Sequence, residues 1–257
     1  MRKAGFPEIP HHSGNRSVIV CFSRLMKNEV DRRRNNEGES RLPPAAAVVV
    51  AGLTYALLPG SLLFGPRFVI PALELVLLIA LIATNPRRMT RETRWSRFAS
   101  IALASIVIVT NFVALGMLVE ALTHKGTPGG PLLVAAMQVW LTNVIGFALL
   151  YWELDRGGPV ARRTVRREEM NPADWRFSQD ENADTISEVA VSSSKKSGWI
   201  PTFADYLYVS LTNSSAFSPT DTMPLSTRAK LLMGVQATAA LLTSLLVIAR
   251  AVGSLGG

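Results

Sequence analysis

The chain has 257 residues, of which 48% are hydrophobic and 18% charged, and a formal net charge of +8. Long uncharged stretches alternate with a few crowded charged segments, which excludes a single soluble core and points to membrane spans, each needing about 20 apolar residues to cross roughly 30 Å of hydrocarbon. The Arg clusters sit beside the apolar stretches, where membrane orientation explains them and a nucleic-acid partner is not expected, and the one cysteine, Cys21, excludes an intramolecular disulfide.

Residues 1–43 are polar, with Arg32, Arg33 and Arg34 beside Asn and Glu, and read as a disordered basic cytoplasmic tail. Within it, Val18–Phe22 is too short, and too charged at Arg16 and Arg24, to be a signal-peptide core or a span.

The segment 44–152 predicts four transmembrane helices. Span one covers about Pro44–Phe64, rich in Ala and Val, with Pro59-Gly60 kinking its last turn. Span two covers about Arg67–Thr84, and the short link Gly65-Pro66 makes the pair an antiparallel hairpin. A basic loop follows, with Arg87, Arg88, Arg91, Arg94 and Arg97 against the single acid Glu92. Span three covers about Phe98–Leu122 and span four about Gly130–Trp152, which ends on Tyr151 and Trp152 as interfacial anchors.

Residues 153–200 form a polar cytoplasmic loop. It is basic at Arg156, Arg162, Arg163, Arg166 and Arg167, acidic from Asp174 to Glu188, and Ser- and Lys-rich at its end. No apolar periodicity supports a folded core there, so a loose loop with one short helix is expected. Residues 201–257 hold a moderately apolar stretch, Pro201–Phe217, and a strongly apolar span six, about Ala229–Ala251.

The whole is therefore expected to be an all-α, polytopic transmembrane bundle of about six spans, or five plus a re-entrant segment. Crossing by Pro201–Phe217 is the preferred arrangement; if the stretch instead dips in and returns, span six runs the other way. Short loops rich in Lys and Arg stay in the cytoplasm. The Arg87–Arg97 loop, the Arg156–Arg167 stretch and the tail, with nine Lys or Arg, then all lie inside. A bacterial-type plasma membrane with a cytoplasmic N-terminus follows. The lipid bilayer is the expected surrounding, a homo-oligomer is compatible with the pattern, and protein partners are not specified by it.

An ionisable residue inside hydrocarbon costs a few kcal/mol and is a functional candidate by default. Glu74 is the foremost, about 10 Å into span two at 1.5 Å per residue; it reads as a cation or proton site, or as a neutral hydrogen-bonded Glu that fixes packing. Asn111, Gln138, Thr142 and Asn143 read as interhelical hydrogen-bonding groups, and Glu120 as an interfacial residue. With Glu74, Asp205 and Asp221 are candidates to line a common permeation path, and Asn213 and Ser214 are further polar-site candidates. After span four, Trp152, Glu153, Asp155 and Arg156 form a cytoplasmic motif with Gly157-Gly158-Pro159 behind it; a capped helix end with a local ion pair accounts for it. His11, His12 and His124 have no metal-ligand spacing, and no Walker, GxSxG or HExxH motif occurs. Neither an enzyme, a metal nor a cofactor is expected.

Two segments carry a resemblance. WELDRGGP at Trp152–Pro159 and DYLYVSLTNSSAFSPTDTMPLSTRAKLL at Asp205–Leu232 resemble an uncharacterised family of multi-pass integral membrane proteins, best represented in actinobacteria and defined by a domain of unknown function. That resemblance implies a class and no activity. The second segment is also similar to the pore module of two-span potassium channels, with Tyr206–Thr212 as pore helix, Asn213–Asp221 at the filter position and Ala229–Ala251 as inner helix. Residues 213–221 contain no Gly and are interrupted by Pro219, whereas a carbonyl filter needs glycines. The expected roles are channel- or carrier-like permeation of a cation or small solute, or a non-transporting scaffold acting through loop 153–200 and tail 1–43.

Overall fold

The computed structural model describes residues 38–63, 66–84, 88–89, 93–123, 129–215 and 221–255. The chain is mostly helical. The long elements are α1 (Leu42–Ala56), α2 (Val69–Thr84), α3 (Arg94–Thr123) and α4 (Gly129–Leu154). Then come a short α5 (Pro159–Thr164), α6 (Phe203–Ser215) and α7 (Thr227–Leu255). Two-residue strands pair antiparallel: β1 (Glu39–Ser40) with β2 (Arg88–Met89), and β3 (Trp175–Arg176) with β4 (Met223–Pro224).

Among the described residues, three helices are long and apolar enough to cross a membrane, over Arg94–Ala121, Gly130–Gly157 and Thr227–Arg250. The first two expected spans are shorter helices. At 1.5 Å per residue α1 rises about 22 Å and α2 about 24 Å. Pro43 and Pro44 start α1, where their missing N–H groups are not needed. Pro59 cannot donate to the α1 ladder, so the helix stops at Ala56 and a single 3-10 turn, Gly60–Leu62, follows. Leu62 is nonetheless fully buried, against the far halves of α3 and α4.

The core has two parts. Val48, Leu81, Leu103, Phe147, Trp152 and Tyr206 belong to the half nearest the C-terminal end of α4. Tyr55, Leu118, Leu132, Val139 and Ala239 belong to the opposite half. Helices α3 and α4 approach closely at Gly146, where a Cβ would stand 2.9 Å from Ile108 Cγ1; small residues permit such contacts between membrane helices.

The end of the bundle near Leu154 is capped by chain. Arg97 donates to the Gly157 carbonyl, and the β1–β2 pair joins the segment before α1 to the α2–α3 link. Among the described residues, Arg88 of the α2–α3 link, Arg97 of α3 and the start of the Arg156–Arg167 stretch therefore lie at one end; Arg87 and Arg91 of the link lie outside the described residues. Of the expected disordered tail, residues 1–37 lie outside the described residues. Glu39 belongs to the fold and is buried, because its carboxyl accepts from the first backbone N–H of α6.

The segment 153–200 differs from the loose loop expected of it. Trp175 and Phe177 are buried, and their rings meet Tyr206 edge-on at 6.3 and 5.5 Å. Trp199 packs on Phe177 at 5.5 Å. Two alternating aromatic residues and two distant ones make no sustained helical or strand pattern, yet together they bury a large apolar area.

Candidate functional site

Helix α6 begins at the capped end. Asp205 Oδ2 accepts from the backbone N–H and the hydroxyl of Thr202, at 2.7 and 2.8 Å, one side of a capping box. Glu39 Oε1 accepts from the Phe203 N–H at 2.7 Å and from Trp152 Nε1 at 3.0 Å. Two acids thus satisfy amides that a helix start leaves unpaired and complement its dipole. Burial holds the Glu39 carboxyl above its ordinary range, against the opposing pull of the nearby Arg162 guanidinium.

From that start α6 descends beside α4, antiparallel to it. The Tyr206 hydroxyl donates to Asp155 at 2.5 Å, Ser210 donates to the Val144 carbonyl at 2.7 Å, and Ser214 and Ser215 reach the level of Trp140. Its 13 residues rise about 20 Å. Helix α7 also starts at the capped end, where Arg228 donates to the Leu154 carbonyl and pairs with Asp174. Between them, β4 pairs with β3 of the cap. The chain therefore enters the bundle along α6 and returns to the same end before α7 begins. A helix this short does not traverse the bundle, and the β3–β4 ladder holds the chain before α7 at the end where α6 starts, which is the arrangement of the alternative to the preferred crossing. Helix α7 then runs to the opposite end, where Leu246 and Val247 pack in the far half of the core.

A buried polar seam holds α6 in place, with Gln236 at its centre. The Gln236 amide nitrogen donates to the Ser210 hydroxyl at 2.5 Å, the Ser210 carbonyl at 3.0 Å and the Ser214 hydroxyl at 2.9 Å. Its Oε1 accepts from Tyr151 at 2.6 Å and Asn213 at 2.9 Å. Asn213 also donates to the Met233 carbonyl, and Asn143 to that of Gln236. Asn213 and Ser214 are thus brought together, and Asn143 joins them. Gln236 was missed; its signal was that it is the only carboxamide in 229–251.

Past the seam lies an open cavity of about 350 Å³ at the outer surface of the bundle, walled by Trp140 of α4, Ser214 and Ser215 of α6, and Thr243, Ser244 and Ile248 of α7, with Ile248 and the neighbouring Met137 exposed. The hydroxyls of Ser215, Thr243 and Ser244 each donate backward to the carbonyl four residues earlier. Their protons are spent, and oxygen lone pairs remain.

The other candidates lie apart. Asp205 is engaged at the start of α6, Asp221 is exposed, and Glu74 lies between α1 and α2. No common path joins these three. Of the filter position, Asn213–Ser215 is helical and 216–220 lies outside the described residues.

The motif after α4 builds the cap. Arg156, Gly157 and Gly158 all have positive φ (50°, 87° and 99°), which turns the chain sharply into α5 at Pro159. Asp155 has no exposed surface; it accepts from the Asp174 N–H at 2.7 Å, from Tyr206, and from Arg156 at 3.1 Å. Arg156 also pairs with Asp180 at 2.7 Å. Fully buried Arg162 donates to the Trp152 and Asp155 carbonyls at 2.7 and 2.9 Å, closing the end of α4, and lies over the Tyr206 ring at 4.9 Å. Glu153 is buried with Arg41 nearby. The cluster is structural in geometry: its charges face one another. Among the described residues no group of three His, Cys, Asp or Glu is placed to hold a metal.

Comparison with models of protein families, with curated proteins and with solved structures found no match to this chain.

Proposed function

We propose that the chain is a multi-pass protein of a bacterial-type plasma membrane, with its capped end cytoplasmic, in which α6 and α7 form a permeation element for a cation. The observation that carries this reading is the half-helix that enters the bundle and returns. Its C-terminal, negative end stops beside that surface-open cavity, whose hydroxyls offer acceptor lone pairs. Half-helix ends of that sign, together with hydroxyl and carbonyl oxygens, are how membrane proteins stabilise cations away from water. The similarity of Asp205–Leu232, running into the last span, to a two-span pore module supports the same element order, although α6 enters from the capped end. The positive-inside rule places that end in the cytoplasm, which puts α7's far end outside.

The test is cation flux into proteoliposomes containing the purified protein, with Thr243→Val and Ser244→Ala as variants. Flux that both variants reduce while the protein stays folded supports the reading. An absence of flux for several monovalent and divalent cations overturns it. The assignment then passes to a non-transporting scaffold, for which the packed segment 153–202 supplies an ordered surface.

A further inference from the structure

Glu74 is the only charged residue of α2. It sits about 7 Å from the start of that helix and 15 Å from its end, at 1.5 Å per residue. Its side chain is 3% exposed, and its Oε2 is buried without a hydrogen-bond partner. That oxygen points at Gly52 of α1, where a Cβ would stand 3.1 Å away. A glycine inside a helix costs up to about 1 kcal/mol relative to Ala; here it leaves the room the carboxyl occupies.

The carboxyl faces a groove of about 210 Å³ between α1 and α2, walled by Val49, Leu53, Phe68, Pro71 and Leu75. Val49, Leu53, Phe68 and Leu75 are exposed on the outer surface of the bundle. In a membrane the groove therefore opens to hydrocarbon and not to water. Among the described residues no other ionisable side chain lines it. Tyr55 of α1 packs into the far core on another face, Arg67 donates to the Leu58 carbonyl, and α3 carries its charges at its ends, as Arg94, Arg97 and Glu120.

An ionised carboxylate cannot stand unpaired in such a place, because desolvation costs several kcal/mol. It must hold a proton or a cation. A hard metal ion needs about six oxygen ligands, and this groove offers one carboxyl. A cation whose charge is spread over or shielded by hydrocarbon needs only the counter-charge and an apolar wall, to which the Phe68 ring adds a π face.

We propose that the α1–α2 groove is a lipid-facing binding site for a hydrophobic monocation, a protonated amine or quaternary onium, with Glu74 as counter-charge and a proton as the occupant displaced. The exchange balances: the protonated carboxyl and the cation become a carboxylate–cation pair and one released proton. The site is separate from the α6–α7 cavity and does not rest on the permeation reading.

The experiment is titration of the purified full-length protein in detergent with benzyltrimethylammonium and methyltriphenylphosphonium. Calorimetry in buffers of different ionisation enthalpy counts the protons. One site per chain is expected for at least one probe, with one proton released and affinity falling about tenfold per pH unit as the proton competes. Glu74→Gln abolishes the binding while thermal unfolding shows a folded protein, and Gly52→Val, which fills the carboxyl's space, weakens it at least tenfold. In parallel, dicyclohexylcarbodiimide labels Glu74: the carboxyl protonates the carbodiimide, adds to its central carbon and rearranges to the N-acylurea with the whole reagent retained. The bound onium protects against it. Binding that persists in Glu74→Gln, binding without proton release, or no binding of either probe each overturns the proposal.

Discussion

The Tyr206 hydroxyl donates to Asp155 Oδ2 at 2.5 Å, with both side chains wholly buried. This bond ties the half-helix α6 to the turn that ends α4, across 51 residues of sequence. Asp155 depends on it, since its other partners are the Asp174 N–H and Arg156. Tyr206→Phe keeps the ring that Trp175, Phe177 and Arg162 pack against and removes only the donor. A loss of about 1–3 kcal/mol is expected, the range for a buried hydrogen bond to a charged group. Denaturant unfolding in detergent, with wild-type as reference, measures it.

Gln236→Leu removes the centre of the seam and strands Ser210, Ser214, Asn213 and Tyr151. Interhelical hydrogen bonds in membranes average well under 2 kcal/mol each, so a total of about 2 kcal/mol is expected. The loss is to be local: faster protease or hydrogen-exchange attack on α6, with α3 and α4 unchanged. Uniform protection throughout the chain would contradict the seam's role.

The return of the chain predicts topology. In a background with Cys21→Ser, single cysteines at Gln179 and Leu225 react with an impermeant thiol reagent from one side of the membrane. One at Val252 reacts from the other. Reaction of positions 179 and 225 from opposite sides would show that 203–222 crosses.

Gly157 has φ +87°, and a Cβ there would meet Asn171 Nδ2 at 2.7 Å. Gly157→Ala therefore combines backbone strain with a clash and costs about 1–3 kcal/mol. Gly130, with nothing near its Cβ position, serves as control, and Gly130→Ala is close to neutral. Thermal unfolding of both variants checks the contrast.

Glu39 gives a pH dependence. Its folded-state pKa is raised above the ordinary 4.5 by burial, so the folded state holds the proton more tightly than the unfolded chain. The stability it contributes is greatest below pH 4.5 and is lost as pH rises through the raised value, after which it is level. Glu39→Gln keeps an acceptor for Phe203 and Trp152 and flattens the unfolding profile over that window. An unchanged slope would mean that Glu39 does not titrate there.

The mostly helical architecture and the positions of the long apolar helices were legible from residue order, because hydropathy is a local property. The Asp205 cap also had a local signature in Thr202-Phe203-Ala204-Asp205. The start of α6 and α7 at one end was legible only as an alternative: a half-apolar stretch of that length is compatible with crossing, and the β3–β4 pairing of Trp175 with Pro224 joins segments far apart in the chain. The packed cap and the seam were not legible. Glu39 meets Phe203 across 164 residues, Asn143 meets Gln236 across 93, and Arg228 meets Asp174 across 54. Periodicity reports which face of a helix is apolar; which distant polar group a buried side chain satisfies depends on how helices stack, and hydrogen-bond geometry selects among partners only once they are packed.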